Sequence, residues 1–206
     1  MGLYSRYILP HVINCACGTG PIERQRRKVV PLVQGVVLEL GFGSGRNVPY
    51  LEPQKVKKLY ALEPEDGMRA LSQKAAQTAP FPIEVRSEFA EDLDLPDASI
   101  DTLFITYTLC TIPDPTSALR ATRRLLKPEG RVVFCEHGLA PDADVQKTQR
   151  SVEPVWKRFA GGCHLTRDVA GVLAAGGYYI ETSEAMYLPK TPRFAGYNVW
   201  GVARAA

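Results

Sequence analysis

The chain has 206 residues and a mass of 22.7 kDa, a size that suits a single domain. With 45% hydrophobic, 23% charged and 9% aromatic residues, it has the composition of a globular protein, which excludes disordered, collagen-like and disulfide-scaffold classes. Its net charge of +3 is too small to argue by itself for a nucleic acid or an anionic membrane as partner. The longest early uncharged stretch, from Tyr7 towards Glu23, contains His11, Asn14 and two prolines. It falls short of the roughly 20 apolar residues of a membrane span, so neither a span nor a signal peptide is read there. Five cysteines (Cys15, Cys17, Cys110, Cys135 and Cys163) are an odd number in a chain able to form its own core. They point to free thiols in a reducing compartment, hence to the cytoplasm.

In chain order, Arg24 to Lys28 sit in a helix ending near Val33. The run Gly35 to Leu40, almost continuously apolar and bounded by glycines, predicts a strand buried on both faces of a parallel sheet. Similar runs at Lys58–Leu62, Ile83–Arg86, Ile100–Thr106 and Arg131–Glu136 bring the strand candidates to five. Between them, Pro115 to Leu126 reads as an amphipathic helix with Ala118, Leu119, Thr122, Leu125 and Leu126 inward, opened by Asp114 and Pro115. Alternating strands and helices predict a doubly wound α/β sheet with helices on both faces. A helix from Arg167 to Ala175, capped by Thr166 and stopped by Gly176-Gly177, leads to strands at Tyr178–Ser183 and Tyr197–Ala203. Their short linker, with Pro189 and Pro192, predicts an antiparallel hairpin. Residues 1–206 are expected to form one domain, with 1–34 as an N-terminal helical cover.

Directly after the first strand comes Glu39-Leu40-Gly41-Phe42-Gly43-Ser44-Gly45-Arg46-Asn47. Glycines at alternate positions permit a tight turn and let a ligand approach the backbone, although a strand-to-helix turn can need glycines for geometry alone. A dinucleotide fingerprint would place its last glycine where Arg46 stands, and the Gly-Lys-Ser/Thr ending of a phosphate loop is absent. Glu63, at the end of the second strand and about 20 residues beyond the loop, is placed to accept hydrogen bonds from both hydroxyls of a ribose.

At these residues the chain resembles the class I S-adenosylmethionine-dependent methyltransferases. Ala90-Glu91-Asp92 with Leu95-Pro96 and Ser99-Ile100-Asp101 is similar to the family's adenine-side segment, and Leu125 to Arg131 to its turn into the fifth strand. The resemblance implies a Rossmann-like seven-stranded sheet, mostly parallel, with an antiparallel C-terminal hairpin. It also implies S-adenosylmethionine as cofactor, held by Glu39, Gly41, Phe42, Gly43, Gly45, Asn47, Glu63, Pro64, Met68, Ala90 and Glu91. Tyr107, Thr108 and Leu109 are expected along its methionine part. Glu129 replaces a usual glycine, and Phe89 stands where many members have an Asp that reads the adenine amino group. Adenine is therefore expected to be held by backbone and packing. Tyr107 to Asp114, Phe134 to Gly138 and Gly161 to Asp168 resemble a bacterial branch similar to animal methyltransferase-like proteins that methylate small thiols. Those relatives carry an N-terminal membrane-associating segment, and no comparable segment is read here.

After the fifth strand, Glu136 and His137 are the candidate catalytic residues. A histidine there could take a proton from an attacking thiol, amine or hydroxyl, or could simply shape the pocket. Methyl transfer from a sulfonium is an in-line displacement that positioning alone can accelerate. Cys15-x-Cys17 with His11, and Cys163-His164, do not match the paired clusters of structural zinc sites, so no metal is expected. The basic runs Arg24–Lys28 and Arg120–Arg131 read as solvated helix faces, and the absence of an Asn/Asp-Pro-Pro-Tyr/Phe segment disfavours nucleic acid. The reading is methyl transfer to a small, partly apolar acceptor entering under the N-terminal segment and residues 142–164, among them Tyr4, Tyr7, Ile8, Leu9, Val155, Trp156 and Phe159. The alternatives are a phospholipid or RNA methyltransferase, a non-catalytic cofactor-binding protein of the same fold, and, on fold alone, a nicotinamide-dependent oxidoreductase. The oligomeric state is not legible.

Overall fold

In a computed structural model, which describes residues 8–206, five strands run parallel at the centre: β1 (Gly35–Leu40), β2 (Val56–Leu62), β3 (Ile83–Arg86), β4 (Ile100–Thr106) and β5 (Leu126–His137). β6 (Tyr178–Tyr187) and β7 (Tyr197–Ala205) form the predicted antiparallel pair, and β7 docks antiparallel on β5. The order β3-β2-β1-β4-β5-β7-β6 reverses direction between β1 and β4. The carboxyl ends of those two strands therefore flank the crevice where ligands of open α/β sheets bind.

The helices are α1 (Leu9–Cys17), α2 (Gly20–Val29), α3 (Asp66–Thr78), α4 (Pro115–Arg123), α5 (Ala143–Phe159), α6 (Val169–Ala175) and the short α7 (Arg193–Gly196). Neighbouring strand residues point to opposite faces, and both faces are covered. On one side Leu38, Leu103, Phe134, Leu119, Leu173 and Tyr178 form a core. On the other, Val37, Phe104, Val133, Trp200, Val29 and Val30 form a second.

Local chemistry explains the helix boundaries. Asp114 accepts from the Ser117 amide at 3.0 Å with Pro115 beside it, as expected for the start of α4. That helix ends at Arg123 rather than at Leu126, because Leu126 already pairs with Ile100 as the first residue of β5, ahead of a register shift. α6 begins at Val169, not Arg167: its cap is Asp168, which accepts from the Gly171 amide at 3.1 Å, while Thr166 is occupied with Glu153. α2 ends at Val29 and passes through a 3₁₀ turn at Val30–Leu32. Pro154 disguises α5 in the sequence, yet the helix runs through it. Buried Gln149 anchors that helix by donating to the carbonyls of Gly138, Leu165 and Phe194 and accepting from the Ala140 amide. Among the described residues no helix is long and apolar enough to cross a membrane.

Candidate active site

Beyond the carboxyl ends of β1, β2 and β4 lies a cleft of about 540 Å³, within the range of small-molecule sites. Gly41, Phe42, Gly43, Glu39, Glu63, Pro64, Met68, Ala90, Glu91, Tyr107 and Thr108, residues the resemblance assigns to the cofactor, line it. The three loop glycines differ in function. A Cβ on Gly41 would meet Thr108 Oγ1 at 2.3 Å, and one on Gly45 would meet the Ala75 Cβ at 2.4 Å. Beside Gly43 there is only the Met68 Cε at 3.5 Å. Gly43 is thus the open face of the cradle. Gly45 is a packing glycine against α3 and does not line the cleft.

Glu63 fixes this loop. One carboxylate oxygen accepts from the Gly43 amide at 2.7 Å and the other from the Glu65 amide at 3.1 Å. Burial pushes its pKa up, against those two bonds. Ser72 of α3 donates to the Gly43 carbonyl at 2.6 Å, so the loop is held from both sides.

Behind the loop is a buried polar network. Asn47 donates to Glu39 Oε1 at 2.6 Å and to Thr106 Oγ1 at 2.9 Å, and Arg26 donates to Asn47 Oδ1 at 2.7 Å and to Thr106 Oγ1 at 2.9 Å. Asn47 therefore stands one layer away from the cleft and orients Glu39. Burial drives the Glu39 pKa to about 8, against the Asn47 bond and the Arg26 charge. Its second oxygen is buried with no hydrogen-bond partner among the described residues, as is Arg26 Nε. A buried unsatisfied carboxylate oxygen on a cleft wall calls for a donor from a ligand.

Tyr107 has φ +55, a left-handed conformation rare for an aromatic residue and a local strain of order 1–3 kcal/mol. It is held by its hydroxyl, which donates to Asn198 Oδ1 at 2.6 Å, and by the Arg26 guanidinium 5.3 Å from its ring centroid. The turn it makes aims the Thr108 amide at Glu136 Oε1, 2.7 Å away. Leu109 is fully buried in the core and does not reach the cleft.

Glu136 and His137 do not line the cleft either. Glu136 is fully buried, its pKa raised to about 7 by burial despite the Thr108 bond. His137 Nε2 lies 3.1 Å from Cys163 Sγ. Burial opposes the charge on His137, and the Cys163 sulfur and nearby carboxylates outweigh it, so its pKa is raised. The Cys110 thiol, His137 and the Trp156 indole N–H all turn towards Cys163 and hold it below the usual thiol range against its burial. An expected base at the transfer site is thus committed to a sulfur behind the cleft wall.

Leu9 is among the expected cover residues, and several other site residues escaped the sequence reading. Leu9, Ile13, Asn14 and Cys17 of α1 line the cleft, as do Lys157 and Arg158 near the end of α5 and the following Gly161 and Gly162. Tyr4 and Tyr7 lie outside the described residues. Arg46, which breaks a dinucleotide fingerprint, has a positive use: its Nε and Nη2 donate to Asn14 Oδ1 and the Asn14 carbonyl at 2.9 and 2.7 Å, and Ser44 donates to Asn14 Oδ1 at 2.6 Å. Only the side-chain pattern of α1 could have hinted at this contact.

The cradle beside Gly43, the unpartnered Glu39 oxygen and the Glu63 carboxylate fit a ligand carrying an ammonium group and a ribose. A methyltransferase domain family matches residues 38–134. The thiol S-methyltransferase TMT1B of Rattus norvegicus is 32% identical over 136 residues, covering 64% of this chain and 55% of that protein. Its Homo sapiens counterpart is 28% identical over 159 residues, covering 71% and 64%. The chain thus spans between half and two thirds of the length of these curated relatives. A Leishmania major S-adenosylmethionine-dependent methyltransferase structure superposes with a TM-score of 0.71 at 15% identity, over 98% of this chain and 80% of that one. Sheet order, glycine loop and matched domain agree: residues 38–134 carry a methyltransferase domain on a seven-stranded sheet similar to that of S-adenosylmethionine-dependent methyltransferases, and the cleft fits S-adenosylmethionine.

Proposed function

We propose that the protein transfers a methyl group to a small, partly apolar thiol that enters the cleft between α1 and the end of α5. The observation that carries this reading is the composition of that half of the cleft, where Leu9 and Ile13 of α1 face Ile112 and the Gly161-Gly162 turn beside a buried sulfur–imidazole cluster. Similarity to the rat and human thiol S-methyltransferases supports the acceptor class.

The bound cofactor supplies an electrophilic methyl group on a sulfonium sulfur. Glu63 would accept from the ribose hydroxyls, and the free Glu39 oxygen would take a hydrogen bond from the methionine ammonium side. Ala90, Glu91 and the exposed Phe89 ring would pack the adenine, in place of a side-chain reader of its amino group. An acceptor thiolate held in the cleft would form the new sulfur–carbon bond as the sulfonium–carbon bond broke, its thiol proton having passed to solvent beforehand. Thiols ionise near pH 8.5, so a site that favours the thiolate raises the reactive fraction at neutral pH. On this reading the described residues act as one domain, with α1 and α2 as its cover. A reducing compartment such as the cytoplasm keeps all five cysteines free, as they are in the fold.

The test is methyl transfer from labelled S-adenosylmethionine to a panel of small thiols, amines, phenols, phospholipid vesicles and RNA. The expected product is an S-methyl thioether formed faster than any other methylated species. Preference for vesicles or RNA, or cofactor binding with no transfer to any acceptor, would overturn the reading.

A further inference from the structure

Three residues far apart in sequence meet behind the cleft. Cys110 lies in the turn after β4, His137 is the last residue of β5, and Cys163 follows the Gly161-Gly162 turn after α5. Their ligand atoms all lie within 4.8 Å of one another. The three segments are tied together: the His164 amide donates to the Cys110 carbonyl at 2.8 Å, and Gly161 and Gly162, at φ +61 and +82, turn Cys163 inward.

We propose that Cys110, His137 and Cys163, whose chain neighbours Thr111 and Gly162 line the cleft, bind a zinc ion and leave its fourth coordination position, on the cleft side, to the acceptor thiolate. Two thiolates and one imidazole are zinc's preferred soft donors, and zinc–sulfur bonds of about 2.3 Å with zinc–nitrogen bonds of about 2.0–2.1 Å set neighbouring ligand atoms roughly 3.5–4 Å apart in a tetrahedron. A cluster already drawn within 4.8 Å reaches that spacing with small side-chain movements. Three protein ligands with one open position is the ligand count of catalytic zinc, whereas structural sites are closed by a fourth. The Trp156 indole, donating to Cys163 Sγ at 3.3 Å, supplies the outer contact that orients a thiolate ligand. Metal binding releases the protons the two thiols still carry. Cys17, on the cleft wall, is close enough to act electrostatically on Cys110 and Cys163 but is not a member of the cluster.

The open position rests on the thiol reading of the acceptor, but the metal itself does not. The experiment titrates Co²⁺ into the full chain, stripped of metal and kept reduced with a phosphine, and follows thiolate-to-cobalt charge transfer in the near ultraviolet. The expected band saturates at one cobalt per chain and intensifies when benzyl mercaptan is added. Zinc displaces the cobalt, and Cys110→Ser or Cys163→Ser weakens zinc binding by at least about 100-fold, beyond the 10–100-fold that outer contacts alone cost. Cys17→Ser keeps the band. Absence of a stoichiometric band in the wild-type chain overturns the metal site, whatever the acceptor screen gives. A band that thiols leave unchanged, or that Cys17→Ser abolishes, overturns the open fourth position.

Discussion

At Gly43 the missing side chain is the contact surface, while at Gly45 it is packing space, and the two positions can be separated by experiment. Both have positive φ, at +59 and +74, so any side chain there adds strain of order 1–3 kcal/mol. Gly43→Val should abolish measurable cofactor binding in calorimetry while the chain still folds. Gly45→Ala should lower the thermal midpoint further, because its methyl collides with Ala75. Glu63→Ala should cost cofactor affinity roughly 1.5–3 kcal/mol, the worth of charged hydrogen bonds, and a folded variant with wild-type affinity would remove Glu63 from the cofactor site. Glu39 gives a pH test. Its folded pKa of about 8 lies above the ordinary carboxylate value of 4.5, so the folded state binds its proton more tightly than the unfolded state does. Stability from this group is full below about pH 4.5 and is lost as pH rises towards 8. The urea midpoint of Glu39→Gln should therefore gain on wild type across that window and run parallel above it. A constant gap would mean that Arg26 keeps Glu39 ionised throughout.

The elements themselves were largely written in the sequence, because short apolar runs bounded by glycine and proline have few alternatives to buried parallel strands. Gly35–Leu40, Ile83–Arg86 and Ile100–Thr106 carry the bounds the sequence predicts. What local reading missed is set by contacts distant in sequence. α5 continues past Pro154 since Gln149 anchors it to Gly138, Leu165 and Phe194 in three separate segments, and β5 starts at Leu126 since Ile100 pairs with it. That the glycine loop and Glu63 lie together on the cleft was legible because a strand-end loop and the next strand's end are placed by local sequence. That Asn47, Leu109, Glu136 and His137 lie off the cleft was not, because one residue of a strand end faces the cleft and the next faces away, and the register of neighbours decides which. The joint between α1 and the loop belongs to the same class. Asn14 alone takes hydrogen bonds from Ser44 and Arg46, so Asn14→Ala should speed amide exchange in α1 with about 1 kcal/mol or less of global destabilisation, the net worth of ordinary hydrogen bonds. Unchanged exchange in α1 would show that the joint is held elsewhere.

For the whole molecule, the division between scaffold and cover decides how specificity is built. The two cores on the faces of the sheet contain no residue of α1, and within α1 only Pro10 is buried. The energy that holds the sheet therefore comes from elsewhere, in keeping with the rough proportionality of stabilisation to buried apolar area. Yet α1 supplies one wall of the cleft opposite the Gly161-Gly162 turn, where, on the proposed function, an acceptor would meet the methyl group in a space shielded from water. Removing residues 1–17 should leave far-ultraviolet dichroism and the thermal midpoint close to wild type, and cofactor affinity within a small factor, because Gly43, Glu39 and Glu63 stay in place. Methyl transfer to the small thiol should fall far more steeply, since the acceptor loses the wall that positions it, and positioning is the main source of acceleration in an in-line displacement. If the truncated chain unfolds, α1 is part of the scaffold. If it transfers methyl groups to the thiol at the full rate, the acceptor enters by another route.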